Sequence, residues 1–205
     1  MGLSRCYNAY SSYHAHLKDF NKALDFQLKA LTISEEIGDI HGISIYNNNI
    51  GSMYVELKDF SKGMSYLEKA LEQKLKIGNK HSIAVSYLHV GLAYTEMGDI
   101  ENAIAYFEKS ELILKEINSK IFLKDIYEHL ANAYAGKKDF ENAFSYQQKY
   151  IRLKNELNEF EKATAIFEAQ SKNEMEKKEK EAALLRKKIK KLRNMLKNLN
   201  RLTTS

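Results

Sequence analysis

Apolar residues recur through most of the chain at the three- and four-residue spacing of a helix face, and that pattern itself repeats every 40 residues. Between 80 and 119, Tyr87, Val90, Gly91 and Tyr94 mark one face of a first helix, and Ala103, Phe107 and Ser110 mark one face of a second. One period earlier, Ile50, Gly51 and Tyr54 precede Leu67 and Ala70. Helix boundaries recur as well. Asp19, Asp59, Asp99 and Asp139, each followed by Phe or Ile, are suited to cap the start of a second helix by accepting orphan amide hydrogens. Glu101 and Glu141 then fall in a first turn, where the helix dipole favours negative charge. Gly38, Gly78, Asn118 and Asn158 are predicted to end the second helices, because these residue types tolerate the left-handed conformation that stops a helix. Small residues at Ser11, Gly51, Gly91 and Ala131 permit close approach between paired helices, as do Ala23, Ala103 and Ala143. Gly63 breaks that second set and is expected to weaken its helix slightly.

Four helix pairs follow, in units of about 2–39, 40–79, 80–119 and 120–158. One pair cannot bury its apolar face alone, so neighbours stack around a shared core and the chain becomes a solenoid. Beyond Asn158 the pattern changes. Residues 159–200 lack Gly and Pro, and 159–205 is predicted as one long basic helix. Ala182, Leu185, Ile189, Leu192, Leu196 and Leu199 alternate by three and four, the seam of a coiled coil over 182–199. That seam suits a homodimer, but fewer than three full heptads leave the oligomeric state open, whereas Ile166 and Phe167 are expected to pack onto the last repeat.

Composition agrees with an all-α chain: among 205 residues there is no Pro and no Trp, and 44% are hydrophobic. The net charge of +5 averages two regions. Residues 1–170 hold 20 Lys and Arg against 23 Asp and Glu, whereas residues 171–205 hold 12 against 4. Eight basic residues and no acid lie between Arg186 and Arg201. A solvated helix face and contact with anionic lipid of an adjacent membrane both remain open for this stretch. Nucleic acid is not an expected partner, because no helix-turn-helix accompanies the charge.

The lone Cys6 excludes an internal disulfide and a cysteine-built zinc site, and is expected to be buried as a small hydrophobe. Apolar runs are too short to span a membrane, and residues 1–15 do not read as a signal peptide. The localisation is left open. Catalytic motifs are lacking: there is no His-Glu-x-x-His pair, no phosphate loop and no nucleophile elbow, so no enzyme and no cofactor are expected. His89 and His129 are one period apart, which admits a metal pair, though period-related positions also recur for packing. Most tyrosines, including Tyr54, Tyr94 and Tyr134, fall at repeat-core places.

The order Gly91, Tyr94, Ala103, Phe107, echoed by Gly51, Tyr54 and Leu67, resembles the tetratricopeptide repeat family over residues 2–158. The resemblance implies an all-α tetratricopeptide-repeat helical solenoid of four helix pairs, followed here by a long C-terminal coiled-coil helix. The family's usual repeat is about 34 residues, so a 40-residue period implies slightly longer helices, as in long-helix variants of signalling proteins. The first unit departs most, with Ser11 and His14 where glycine and tyrosine are usual. The family uses its first helices to line a concave groove. Carried onto this sequence, that use points Asn8, Ser12, Asn48, Ser52, Leu88, Leu92, Glu128 and Asn132 toward a peptide-binding groove. The asparagine amides can pair with a peptide backbone, or they can simply face solvent. Paired lysines that grip a terminal carboxylate in some members have no counterpart at those places.

The stretch "FEAQSKNEMEKKEKEAALLRKK" resembles the linker between repeats and output domain in Bacteroidetes-type sensor histidine kinases, through Phe167, Glu176, Lys177, Lys178, Glu179, Lys180, Glu181, Leu184 and Leu185. In such proteins the helix leads to a membrane span and a kinase, a cyclase or a DNA-binding output. Here the sequence runs out in "NRLTTS", and with Met1 directly before an intact helix pattern the expectation is a domain cut from a longer protein. The resulting expectation is a non-catalytic protein- or peptide-binding sensor module of a bacterial signal-transduction protein. The alternative is a free-standing adaptor or scaffold.

Overall fold

Each period-marking aspartate closes one helix and opens the next. In the computed structural model, which describes residues 2–203 and the side chains of 2–193 and 195, the eight helices are α1 (Gly2–His16), α2 (Phe20–Glu36), α3 (Ile40–Glu56), α4 (Phe60–Ile77), α5 (Lys80–Met97), α6 (Ile100–Glu116), α7 (Lys120–Gly136) and α8 (Phe140–Thr203). Among the described residues there is no strand. The Asp99 amide donates to the Tyr94 carbonyl at 2.9 Å, sealing α5, while Asp99 Oδ1 accepts from the Asn102 amide at 3.1 Å, capping α6. Asp19, Asp59 and Asp139 repeat both bonds.

The residue before each aspartate takes the left-handed conformation: Lys18, Lys58, Gly98 and Lys138 have φ of 58°, 62°, 79° and 62°. The predicted second-helix stops at Gly38, Gly78 and Asn118 are also left-handed, at 67°, 77° and 52°. Asn158 is different and corrects the reading of it as a stop, since α8 runs through it. The physical reason lies one residue on. Asp39, Asn79 and Ser119 follow the first three stops and start the next helix, whereas Glu159 follows Asn158 and is a good helix former.

Successive helices from α1 to α7 pack against one another in sequence order, the arrangement of an all-α solenoid. The described residues fall into two units, the first ending at Lys154 and the second beginning at Asn155. In the first unit, Ala30, Leu31, Tyr46 and Ile50 form one part of the core, and Val55, Leu67, Val90 and Ala93 form the next. The largest part gathers around Phe107, Ile126 and Leu130, which are buried almost completely. Paired helices are also joined by a ladder of stacked rings. His14–Phe26, Tyr54–Tyr66, Tyr94–Tyr106 and Tyr134–Tyr146 lie 5.5, 5.7, 5.4 and 5.6 Å apart between centroids. One lysine covers the second ring of each pair, at Lys29, Lys69, Lys109 and Lys149, with Lys149 Nζ 3.9 Å from the Tyr146 centroid.

One expected feature gains a packing reason and two expectations change. Gly63 has a packing role: a Cβ there would lie 2.7 Å from Val55 Cγ2 and 3.1 Å from the Gly51 carbonyl, so glycine lets α3 and α4 meet closely. Cys6 is exposed rather than buried, because it lies on an outward face of α1, which has a neighbouring helix on one side. Ile166 and Phe167 are exposed rather than packed, at 59% and 68%, because the chain does not turn back at Asn158.

Candidate groove on the first helices

The triplet Asn47, Asn48, Asn49 sits mid-way along α3, and steps of about 100° per residue send its three amides in different directions. Asn47 donates to Gln73 Oε1 of α4 at 3.3 Å. Asn48 is buried, and its Oδ1 accepts from Lys74 Nζ at 3.2 Å and Ser86 Oγ at 3.4 Å. Asn49 donates to Asn8 Oδ1 at 3.2 Å, an atom that also accepts from Gln27 Nε2 at 3.2 Å. These bonds tie α1, α3 and α5 along one polar line.

Two adjoining cavities open beside that line. The larger, of about 370 Å³, is lined by His41, Ile45, Asn48 and Asn49 of α3, His81, Ser82, Val85 and His89 of α5, Lys74 of α4 and Phe122 of α7. The smaller, of about 270 Å³, lies between Ser52 and Glu56 on one side and His89, Leu92 and Glu96 on the other. His89 is common to both. Its Nδ1 stands 3.2 Å from Ser52 Oγ, which donates to the Asn48 carbonyl at 3.1 Å. With the hydroxyl proton so used, Ser52 accepts from Nδ1–H of His89 and leaves Nε2 as an acceptor.

Burial sets the charges here. It pulls the Lys74 ammonium down to about 8, with no acid opposing the shift. Burial first, and the Lys74 charge second, hold the His89 imidazole down to about 4, so His89 is neutral near pH 7. Burial also lowers His129. A histidine depressed below its ordinary 6.5 contributes stability that is present above pH 6.5 and is lost as pH falls toward 4. Urea unfolding should therefore show a loss of about 2–3 kcal/mol across that window, largely absent in a His89→Gln/His129→Gln variant.

Of the eight residues expected in the groove, Asn48, Ser52 and Leu92 line these cavities, and Asn8 joins them through Asn49. Leu88 instead packs against the core shared by α5, α6 and α7, as Leu92 also does in part. Ser12, Glu128 and Asn132 are exposed and line neither cavity. Sequence reasoning missed Asn49, His41, His81, Val85, Phe122 and above all Lys74, which comes from a second helix. Its signal was positional, since Ser34 and Leu114 occupy the same place one period either side and both are buried. His89 and His129 do not face a shared metal: the first bonds Ser52 and the second stacks on Phe107 at 5.3 Å. Among the described residues no group of three or more His, Cys, Asp or Glu could hold a metal ion.

In α8, Ala182, Leu185, Ile189 and Leu192 are exposed, the three larger ones at 59%, 42% and 58%. The side chains of Leu196 and Leu199 lie outside the described residues. Among the described residues no helix is long and apolar enough to cross a membrane.

Family models described as tetratricopeptide repeat match residues 42–116, 82–156 and 4–37. No curated protein matches the sequence. Among solved structures, BtubC (BKLC) from P. vanneervenii is similar with a TM-score of 0.69 at 21% identity, over 76% of this chain and 65% of that one. A Rap protein complexed with Competence and Sporulation Factor gives 0.70 at 18%, over 73% and 42%. A Signal Transduction ATPase with Numerous Domains with a tetratricopeptide repeat sensor, from Pyrococcus horikoshii, gives 0.64 at 25%, over 72% and 23%. The chain thus spans less than two-thirds of each of these proteins.

Proposed function

The chain belongs to the tetratricopeptide repeat family, and on that premise we propose that its first-helix groove binds an extended or helical segment of another protein. The observation that carries this reading is the pair of adjoining cavities along α3 and α5, floored by Asn48 and walled by apolar Val85, Leu92 and Phe122. Apolar walls with a few convergent polar groups suit a segment whose side chains fill the cavities while its backbone meets amides. The similar Rap protein was seen with Competence and Sporulation Factor, and the similar Pyrococcus protein carries such repeats as a sensor. Both support a regulatory rather than a catalytic role.

On this reading the module belongs to a bacterial signalling protein, and α8 passes groove occupancy to an output such as a histidine kinase or nucleotide cyclase. The exposed row Ala182, Leu185, Ile189 and Leu192 supports pairing of two α8 helices in a homodimer. The basic tail supports contact with an adjacent membrane surface. A ligand shifts such a device only if it binds one arrangement more tightly than the other. Peptides selected from a displayed random library against the full chain provide the test. Val85→Trp, which fills the larger cavity without adding a charge beside Lys74, is expected to weaken the selected peptides about tenfold or more while the thermal melt stays in place. Undiminished binding to that variant would place the binding surface elsewhere.

A further inference from the structure

Lys74 projects from α4, a second helix, into the wall of the larger groove cavity, with only 6% of the residue exposed. Its Nζ donates to the neutral Asn48 Oδ1 at 3.2 Å, and its lowered affinity for a proton arises from burial without any acid acting against it. A buried ammonium lacking a carboxylate is costly to keep. The solenoid itself does not require the charge, because Ser34 and Leu114 fill the same place in the units on either side. No Asp or Glu lines this cavity, while its mouth adds His41 and His81. The smaller cavity next to it has Glu56 and Glu96 instead, so the two differ in charge.

We propose that the larger cavity is a carboxylate pocket, in which an Asp or Glu side chain of the bound segment accepts a hydrogen bond from Lys74 Nζ. This rests on the groove reading above and specifies the partner as an acidic segment. The volume of about 370 Å³ admits such a side chain together with neighbouring backbone. An ionised acceptor would supply what the buried ammonium lacks, and charge-assisted bonds are about twice as strong as neutral ones. Val85 and Phe122 would exclude water from the pair, which strengthens it further.

The test is a positional scan of short, C-terminally amidated peptides against the full chain and against Lys74→Leu. Amidation removes the terminal carboxylate, so any acid preference comes from a side chain. One position should favour Glu or Asp over Gln or Asn by about tenfold or more. In Lys74→Leu that preference should shrink to about twofold or less. The Glu-to-Gln exchange lies in the peptide, so the wild-type comparison stands whether or not the variant folds well. Peptides that bind without an acid preference, or a preference that survives Lys74→Leu, would overturn the carboxylate pocket and leave the groove standing. If no peptide bound the wild-type chain, the groove reading would fall, and the pocket with it.

Discussion

Phe107→Ala is expected to cost about 3–5 kcal/mol of folding stability, read from urea or guanidinium unfolding. Phe107 is 1% exposed, stacks on His129 of the next unit and belongs to the largest part of the core. Truncation removes the transfer free energy of the ring and leaves a void between α5, α6 and α7. In a solenoid each unit is held by its neighbours, so the loss falls on the interface between the third and fourth units as well. A companion pair sharpens the claim. A Cβ on Gly91 would meet Phe107 ring atoms at 2.6 and 2.7 Å, and the three nearest atoms all belong to that ring. Gly91→Ala is therefore expected to destabilise the wild type by about 1–3 kcal/mol. In a Phe107→Ala background, where the ring atoms are gone, that cost should largely vanish, giving strong non-additivity.

Gly51→Leu should be at least as damaging, at about 3 kcal/mol or more, and here no partner substitution rescues it. A Cβ on Gly51 would meet Leu67 Cγ at 2.7 Å, but also the Gly63 carbonyl oxygen and the Leu67 amide nitrogen at 2.9 Å. The last two are backbone, so α3 and α4 would have to separate. The core side chains Ile50, Val55 and Leu67 would then lose contact together. Gly136→Ala is the control: nothing lies within 4 Å of a Cβ there, and the helix gains up to about 1 kcal/mol from alanine. A fall in the denaturation midpoint for Gly51→Leu with no fall for Gly136→Ala would locate the effect in helix contact. Equal effects at both sites would refer it to glycine content instead.

A different kind of change makes the function more visible than the fold. Lys74→Leu is expected to stabilise the chain by about 1–3 kcal/mol at pH 7, because it replaces a buried unpaired cation with the residue type found at Leu114. The sign with pH follows from its proton affinity. The folded state releases the Lys74 proton near 8 and the unfolded chain near 10.5, so between them the unfolded state holds more protons and stability rises with pH. Lys74→Leu should erase that rise in urea titrations above pH 8. A residue that costs stability where its counterparts do not is best understood through what it meets in a complex.

Much of this fold was legible because its signals are local and periodic. Asp19, Asp59, Asp99 and Asp139 announce helix starts through a side-chain chemistry that few residues share. The glycines at 38 and 78 and Asn118 announce stops through backbone tolerance. Left-handed Lys18, Lys58 and Lys138 were invisible because lysine has no preference for that conformation, and the closing hydrogen bonds of the preceding helix impose it. Asn158 misled because a stop also needs a start after it, and Glu159 supplies none. In the groove, the triplet at 47–49 signalled amides on the first helix, but only packing decides which one faces Lys74. Lys74 itself reads as an ordinary surface lysine until α4 is placed against α3 and α5. Its meaning is tertiary.

The position of a bound partner distinguishes the groove from every other surface of the solenoid. The decisive measurement is a chemical-shift map of the full chain, including asparagine side-chain amides and histidine rings, with the tightest peptide selected from a random library. The expected result is a footprint on Asn49, Ser52, His81, Val85 and His89, with the side-chain amide of Asn48 shifted as its neighbour Lys74 gains a new acceptor. A footprint confined to the exposed faces of α2, α4 and α6, or to residues beyond 155, would contradict it.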